Sequence, residues 1–443
     1  MTIDSTTPYA LRGRLVDTAP CTGAVGNERL RVVNDGALVI EQGYITAAGP
    51  ATEVLTDDRA NLPVQDYRGR LLMPGLIDAH IHYPQTDIIA SYGAQLLDWL
   101  QTYTFPAEAR FADPELARDT AEFFLKELFR NGTTSANVLG TTHAHSADVI
   151  FEAARAHGMR LSAGKVMMDR NCPEAIRDTP ETGYRDSRKL LERWHGVDRL
   201  RYAITPRFAV TSTGAQLEAT GRLAAEFPDA YVHTHLAENR NEVAWVAELF
   251  PWARSYLDVY DHYGLVRERS VFAHCIHLDD IDRRRMAETG AAIAFSPTSN
   301  TFLGSGLLEY SQAKSEGVRV GLATDVGGGS SFSMLRTANE AYKVSCLNGT
   351  PLSAASLLHL ATRGSAGALD TADCVGALEP GMEADIIAVD PAATPLTARR
   401  TRDATLEETV FALFILGDDR HIETTWVGGR AVHQRDADDA RSV

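Results

Sequence analysis

Apolar and polar residues alternate with a period of two in short runs at both ends of the chain, while a strand-then-helix rhythm fills the middle. Near the N-terminus, residues 10–16, 37–41 and 44–48 read as strands, broken by Asn34-Asp35-Gly36 and Gln42-Gly43. The same texture returns at 385–390 and at 424–427, which Gly428-Gly429 follows. Neither end alone supplies enough strands for a stable core. Residues 1–70 and 376–443 are therefore expected to pair into one small β-sandwich flanking a central domain, residues 71–375. In that domain a first strand runs through Leu76-Ile77-Asp78-Ala79 to His80-Ile81-His82 and stops near Pro84. Asp113-Pro114 has the polar cap and first-turn proline of a helix, apolar residues follow at Leu116, Thr120, Phe124 and Leu128, and Asn131-Gly132 closes it. Further strands are predicted at 133–139, 160–168, 200–205, 230–235, 270–274, 290–295 and 318–325, with helical stretches such as 216–226 and 240–249 between them. Eight strands alternating with helices is the count of an α/β fold of the (β/α)₈ barrel type.

Composition narrows the function. A chain of 443 residues suits such a barrel plus an extra module, and a formal net charge of −16 leaves no basic stripe for a phosphate backbone. Nucleic acid is not an expected partner. Cys21, Cys172, Cys275, Cys346 and Cys374 stand singly, which argues against a zinc knuckle or disulfide framework and fits a reducing cytoplasm. Residues 1–8 lack the basic and apolar parts of a targeting signal, and no apolar run approaches membrane-spanning length, so no membrane is expected either.

Metal-competent side chains gather at the predicted C-terminal ends of the strands, where a barrel keeps its chemistry. His80 and His82 share one face of the first strand, and His235, His274 and Asp325 end the fifth, sixth and eighth. Three nitrogens and a carboxylate suit Zn²⁺ with an open position, and Fe²⁺ also fits. Asp325 is an acid on an otherwise apolar strand, a costly placement unless it is paired or metal-bound. Glu238, just past His235, is placed at the barrel mouth as a proton carrier, beside the bland alternative of a surface acid opening the next helix. His143 and His145 fall in a loop or helix start, His233 one layer deeper in the barrel, and His277 in solvent.

These residues resemble the amidohydrolase superfamily. The likeness rests on Pro74-Gly75-Leu76-Ile77-Asp78-Ala79-His80-Ile81-His82, on His235, His274 and Asp325, and on the run Gly381-Met382-Glu383-Ala384-Asp385-Ile386-Ile387. A narrower likeness is to the guanine deaminases. It lies in Leu97-Asp98-Trp99-Leu100, Tyr103-Thr104-Phe105-Pro106-Ala107-Glu108, Ile204-Thr205-Pro206-Arg207-Phe208, His235-Leu236-Ala237-Glu238-Asn239-Arg240 and the stretch from Gly321 to Gly328. The resemblance implies hydrolysis of guanine to xanthine and ammonia, in purine catabolism, by one bound zinc. By position, His80, His82, His235 and Asp325 are similar to the metal ligands. His274 resembles the residue that orients the water, and Gln85, Arg207, Phe208 and Glu238 match substrate contacts. A cytoplasmic homodimer is expected.

The chemistry is consistent with that family. Deamination needs hydroxide at C2 near neutral pH, which a bound metal supplies, a proton for the ring nitrogen and another for the departing amine. Glu238 suits the first proton and Asp325 the second. Arg207 offers paired donors to an O6 and N7 edge, Phe208 can stack on a ring, and Gln85 can donate or accept. Rival readings are an s-triazine hydrolase or adenosine-type deaminase on the same barrel, and a non-enzymatic scaffold, against which the full ligand set argues. The zinc motif of the cytidine-deaminase fold is absent.

Overall fold

A computed structural model of the chain describes residues 7–21, 25–59, 61–93 and 95–435. The polar segment 1–6 and the segment 436–443, both within the expected terminal β module, lie outside them. The chain opens with strands β1 (Tyr9–Thr18), β2 (Leu30–Glu41), β3 (Tyr44–Pro50) and β4 (Val64–Pro74). The central strands are β5 (Leu76–His82), β6 (Thr133–Leu139), β7 (Arg160–Gly164), β8 (Val166–Met167), β9 (Leu200–Pro206), β10 (Tyr231–Leu236), β11 (Ser270–His274), β12 (Ala292–Phe295) and β13 (Arg319–Leu322). Strands β14 (Ile386–Val389), β15 (Ile422–Val427) and β16 (Arg430–Gln434) end the chain.

Strands from the two ends do pair. They form one continuous seven-stranded sheet in the order β16-β15-β14-β4-β1-β2-β3, joined where β14 runs antiparallel to β4. The sheet curls onto itself. The Ala384 N–H donates to the Gly43 carbonyl and the Gly429 N–H to the Ala384 carbonyl, so the turn after β2 meets the turn after β15. The curl encloses Leu11, Leu38, Ile40, Leu72, Ile386 and Trp426 in one buried cluster. Asn34-Asp35-Gly36 was expected to break the chain there, but β2 runs through it. Gly36 pairs with Gly13 beside a bulge, and a Cβ at Gly36 would fall 2.5 Å from the Leu15 side chain, so the glycine permits close packing rather than a turn.

The parallel strands order as β13-β12-β11-β10-β9-β7-β6-β5, with β8 beside β9. Every residue of β5 and β6 is buried, as strands covered on both faces require. Helix Pro114–Arg130, capped by the Asp113 side chain on the Glu115 N–H, follows the expected start. Two departures matter. The expected third strand is split at Lys165, whose buried ammonium turns to Asp178 and to the Val166 carbonyl. The expected eighth strand stops at Leu322, because Thr324 and Asp325 leave the ladder to close the barrel. The Thr324 N–H donates to Asp78 Oδ1 (3.1 Å) and the Asp325 N–H to the His80 carbonyl (3.0 Å). No helix among the described residues is long and apolar enough to cross a membrane.

Candidate active site

At the C-terminal rim β5 delivers His80 and His82, β10 delivers His235, β11 ends on His274, and Asp325 stands just beyond β13. All are buried. His82 Nε2 and His235 Nε2 lie 3.2 Å apart, His80 Nε2 lies 3.1 Å from Asp325 Oδ1, and His82 Nε2 lies 3.4 Å from the same oxygen. His274 Nε2 is 3.3 Å from Glu238 Oε2 and 3.8 Å from Asp325 Oδ2. The five residues predicted to converge therefore do so.

The far ring nitrogens of His80, His235 and His274 are held by the layer behind, while His82 Nδ1 makes no hydrogen bond. His80 Nδ1 meets His233 Nε2 at 2.7 Å, His235 Nδ1 meets the Arg207 carbonyl at 2.8 Å, and His274 Nδ1 meets Asn300 Oδ1 at 2.8 Å. Backbone strain marks the same rim. His274 and Asp325 adopt φ of 71° and 52°, the left-handed region that non-glycine residues rarely enter, and hydrogen bonds on both sides hold them there.

Electrostatics fit a cation. Burial drives His80, His82 and His235 well below the ordinary imidazole range, so all three are neutral and carry a lone pair. His235 Nδ1 faces a carbonyl and so carries the ring proton, which leaves the His235 Nε2 lone pair aimed toward His82 Nε2, 3.2 Å away. His80 Nε2 and His274 Nε2 make no hydrogen bond. His80, His82 and His235 gather within one small volume, as do His80, His274 and Asp325, and each set offers donors that a divalent metal could use.

Glu238 lies on the turn after β10, where Ala237 takes φ of 50°. It is 3% exposed, which rules out the surface-acid alternative. Glu242 accepts the N–H groups of Glu238 (2.9 Å) and Asn239 (3.1 Å) and the Tyr256 hydroxyl (2.8 Å), fixing that turn. Burial, and then the charge of Asp325, raises the Glu238 carboxyl well above its ordinary range, which favours its protonated form. Gln85, Arg207 and Phe208 line the cavity with Trp99 and Leu100. The Phe208 ring stands 6.4 Å from that of His235.

Other expectations fare differently. Arg207 was read as a fork of donors toward the substrate, with an ion pair to an acid as the alternative; its Nη1 donates to both oxygens of Glu108 at 2.7 Å, an ion pair buried on both sides. His277 was expected in solvent, but it is half-buried with Nε2 on the Ser305 carbonyl at 3.1 Å. His143 precedes helix Ala144–His157, His145 Nε2 reaches the Phe111 carbonyl at 2.7 Å, and neither joins the cluster. Sequence reasoning gave no role to Glu108, Glu242 or Asn300. Glu108 alone carried a signal, as an acid in the turn Phe105-Pro106-Ala107-Glu108.

Residues 71–432 match the sequence pattern of the Amidohydrolase family. The chain is 48% identical to the guanine deaminase of Escherichia coli (strain K12) over 432 residues, 96% of this chain and 98% of that protein. The solved structure of E. coli guanine deaminase superposes with a TM-score of 0.92 at 47% identity, covering 96% of this chain and 100% of the other. Guanine deaminase from C. acetobutylicum, solved with guanine in its active site, superposes with a TM-score of 0.88 at 26% identity, covering 96% and 100%.

Proposed function

The chain belongs to the amidohydrolase family, and from that premise we propose that it catalyses the hydrolytic deamination of guanine to xanthine and ammonia. The observation that carries this reading is the pair of buried carboxylates, Glu238 and Asp325, flanking His274 Nε2 at 3.3 and 3.8 Å in a cavity also lined by Gln85, Arg207 and Phe208. One Zn²⁺ per chain on His80, His82, His235 and Asp325 is the metal reading, and Fe²⁺ would satisfy the same donors. When bound, the divalent ion supplies Lewis acidity that brings the pKa of a water to about 7.

The remaining steps fall to side chains. Asp325 takes a proton from the attacking water and returns it to the departing amine, while His274 Nε2 orients that water toward C2. Glu238, whose carboxyl burial raises, gives its proton to the ring nitrogen beside C2 as that atom gains the electron pair, and takes back the hydroxyl proton on C2 as the amine leaves and the carbonyl forms. Phe208 bounds the ring face, and the N–H groups of Arg207 not taken by Glu108 meet the O6 and N7 edge. Adenine presents a 6-amino group there, donor against donor, and is expected to be rejected.

The test is ammonia release from guanine, adenine, cytosine and a triazine, with metal analysis on the same preparation. Release from guanine with about one metal per chain is expected. Preference for another base, or full activity after thorough chelation, overturns the reading. The reading also includes a cytoplasmic homodimer, supported as to compartment by five cysteines without a disulfide and tested as to assembly by light-scattering mass.

A further inference from the structure

Glu108 comes from the segment after the first barrel strand that no role above explains. Helix Leu96–Trp99 continues into the π-helical turn Leu100–Thr104 before helix Phe105–Ala109 resumes, and such insertions re-aim the faces of a helix. Here Trp99 and Leu100 face the cavity, and Phe105 and Glu108 face Arg207. The Arg207 guanidinium carbon stands 5.5 Å from the centre of the Phe105 ring.

Glu108 is fully buried and binds two substrate-lining residues at once. It takes Arg207 Nη1 with both oxygens at 2.7 Å, and Gln85 Nε2 donates to its Oε1 at 3.1 Å. A carboxylate only accepts, so the Gln85 carboxamide cannot flip without setting oxygen against oxygen. The Gln85 Oε1 lies where a side chain on Gly327 would begin, 1.9 Å from an ideal Cβ, so the amide is held from that side as well. Among the described residues Arg207 Nε and Nη2 make no hydrogen bond.

We propose that Glu108 is a specificity-positioning residue: it makes Gln85 an acceptor toward the substrate and aims the remaining Arg207 N–H groups as donors. This rests on the guanine reading and deepens it. The substrate class selected is a planar heterocycle with acceptors on the edge facing Arg207 and an N–H facing Gln85. Glu108 touches neither the substrate nor the reacting atoms, so its effect passes through the other two side chains.

The experiment compares guanine with 7-deazaguanine, which carries C–H in place of the N7 acceptor and adds no bulk. The unaltered protein should prefer guanine in kcat/KM by at least roughly tenfold. In Glu108→Gln the new carboxamide can donate to Gln85 and release its orientation. Guanine kcat/KM should fall at least about tenfold and the preference should shrink to within about threefold. Glu108→Asp, which keeps the charge, should recover part of the preference. The preference belongs to whatever active fraction survives, so it is read even if the variant folds poorly or binds less metal. An unchanged preference in Glu108→Gln overturns the inference. Absence of guanine turnover by the unaltered protein instead overturns the functional reading beneath it.

Discussion

The two ends of the barrel hold buried charge in opposite ways. At the N-terminal ends of the strands, Glu383 accepts from Arg160 Nε and Arg199 Nε, both at 2.9 Å, and Arg199 Nη2 also reaches Asp385 at 2.7 Å. Burial pushes the Glu383 carboxyl up, yet the two arginines bring it below its ordinary value. Charges there are saturated by one another. At the C-terminal rim the Arg207–Glu108 pair sits beside imidazole nitrogens that face one another, His80 Nε2 and His274 Nε2 have no hydrogen bond, and burial with the Asp325 charge pushes the Glu238 carboxyl up. Buried polar groups left short of partners are expensive, and they persist where a ligand completes them. The lower end is architecture that ties the terminal sheet to the barrel, and the upper end is chemistry.

Removing a ligand at the rim gives the largest expected effect. His82→Ala or His235→Ala should lose metal and activity together, with activity down by more than about a thousandfold, measured by metal content and ammonia release. Activity that survives without metal would erase the distinction between the two ends. Next comes Glu238→Gln, which should keep fold and metal while turnover falls by roughly two to four powers of ten, the usual worth of one placed acid or base. A loss confined to KM would make Glu238 a binding group instead.

The lower end should answer in stability. Glu383→Gln leaves Arg160 and Arg199 short of a counter-charge, at a cost of about 3 kcal/mol from breaking a buried pair, with kcat per folded molecule unchanged. The pH dependence has a definite sign. A carboxyl depressed below its ordinary 4.5 contributes stability that is present above that pH and lost as pH falls through the lowered folded value. The acid limb of the melting profile should therefore flatten in the variant. An unchanged limb would mean that Glu383 is neutralised by something other than these arginines.

The upper side of this contrast was legible in the sequence, since strands of period two and helices of longer period place residues at strand ends by local pattern alone. His80, His82, His235, His274 and Asp325 were found that way. What escaped depends on partners far apart in the chain. Glu108 meets Arg207 across a separation of 99 residues, and Asn300 reaches His274 across 26. The eighth strand ended early because Asp78, 246 residues away, takes the Thr324 N–H. The third was split by a lysine whose Asp178 partner lies beyond it. Local periodicity holds no information about such pairings.

The smallest expected effect concerns two histidines whose spacing imitates the metal grip. His143 and His145 stand i, i+2 like His80 and His82, and only their position separates them. They belong to the start of helix Ala144–His157, not to a strand end. One ring nitrogen of each is also occupied: His143 Nδ1 meets Thr141 Oγ1 at 3.2 Å and His145 Nε2 meets the Phe111 carbonyl at 2.7 Å. The double variant His143→Ala, His145→Ala should therefore keep its metal at about one per chain and its guanine turnover within about twofold. Stability should fall by roughly 1 to 2 kcal/mol for the lost hydrogen bonds. Metal analysis and a melt on the same sample decide it. Loss of metal would mean that histidine spacing alone, whatever hydrogen bonds already occupy the rings, marks a ligand, and the contrast between satisfied and unsatisfied groups would fail where it is easiest to check.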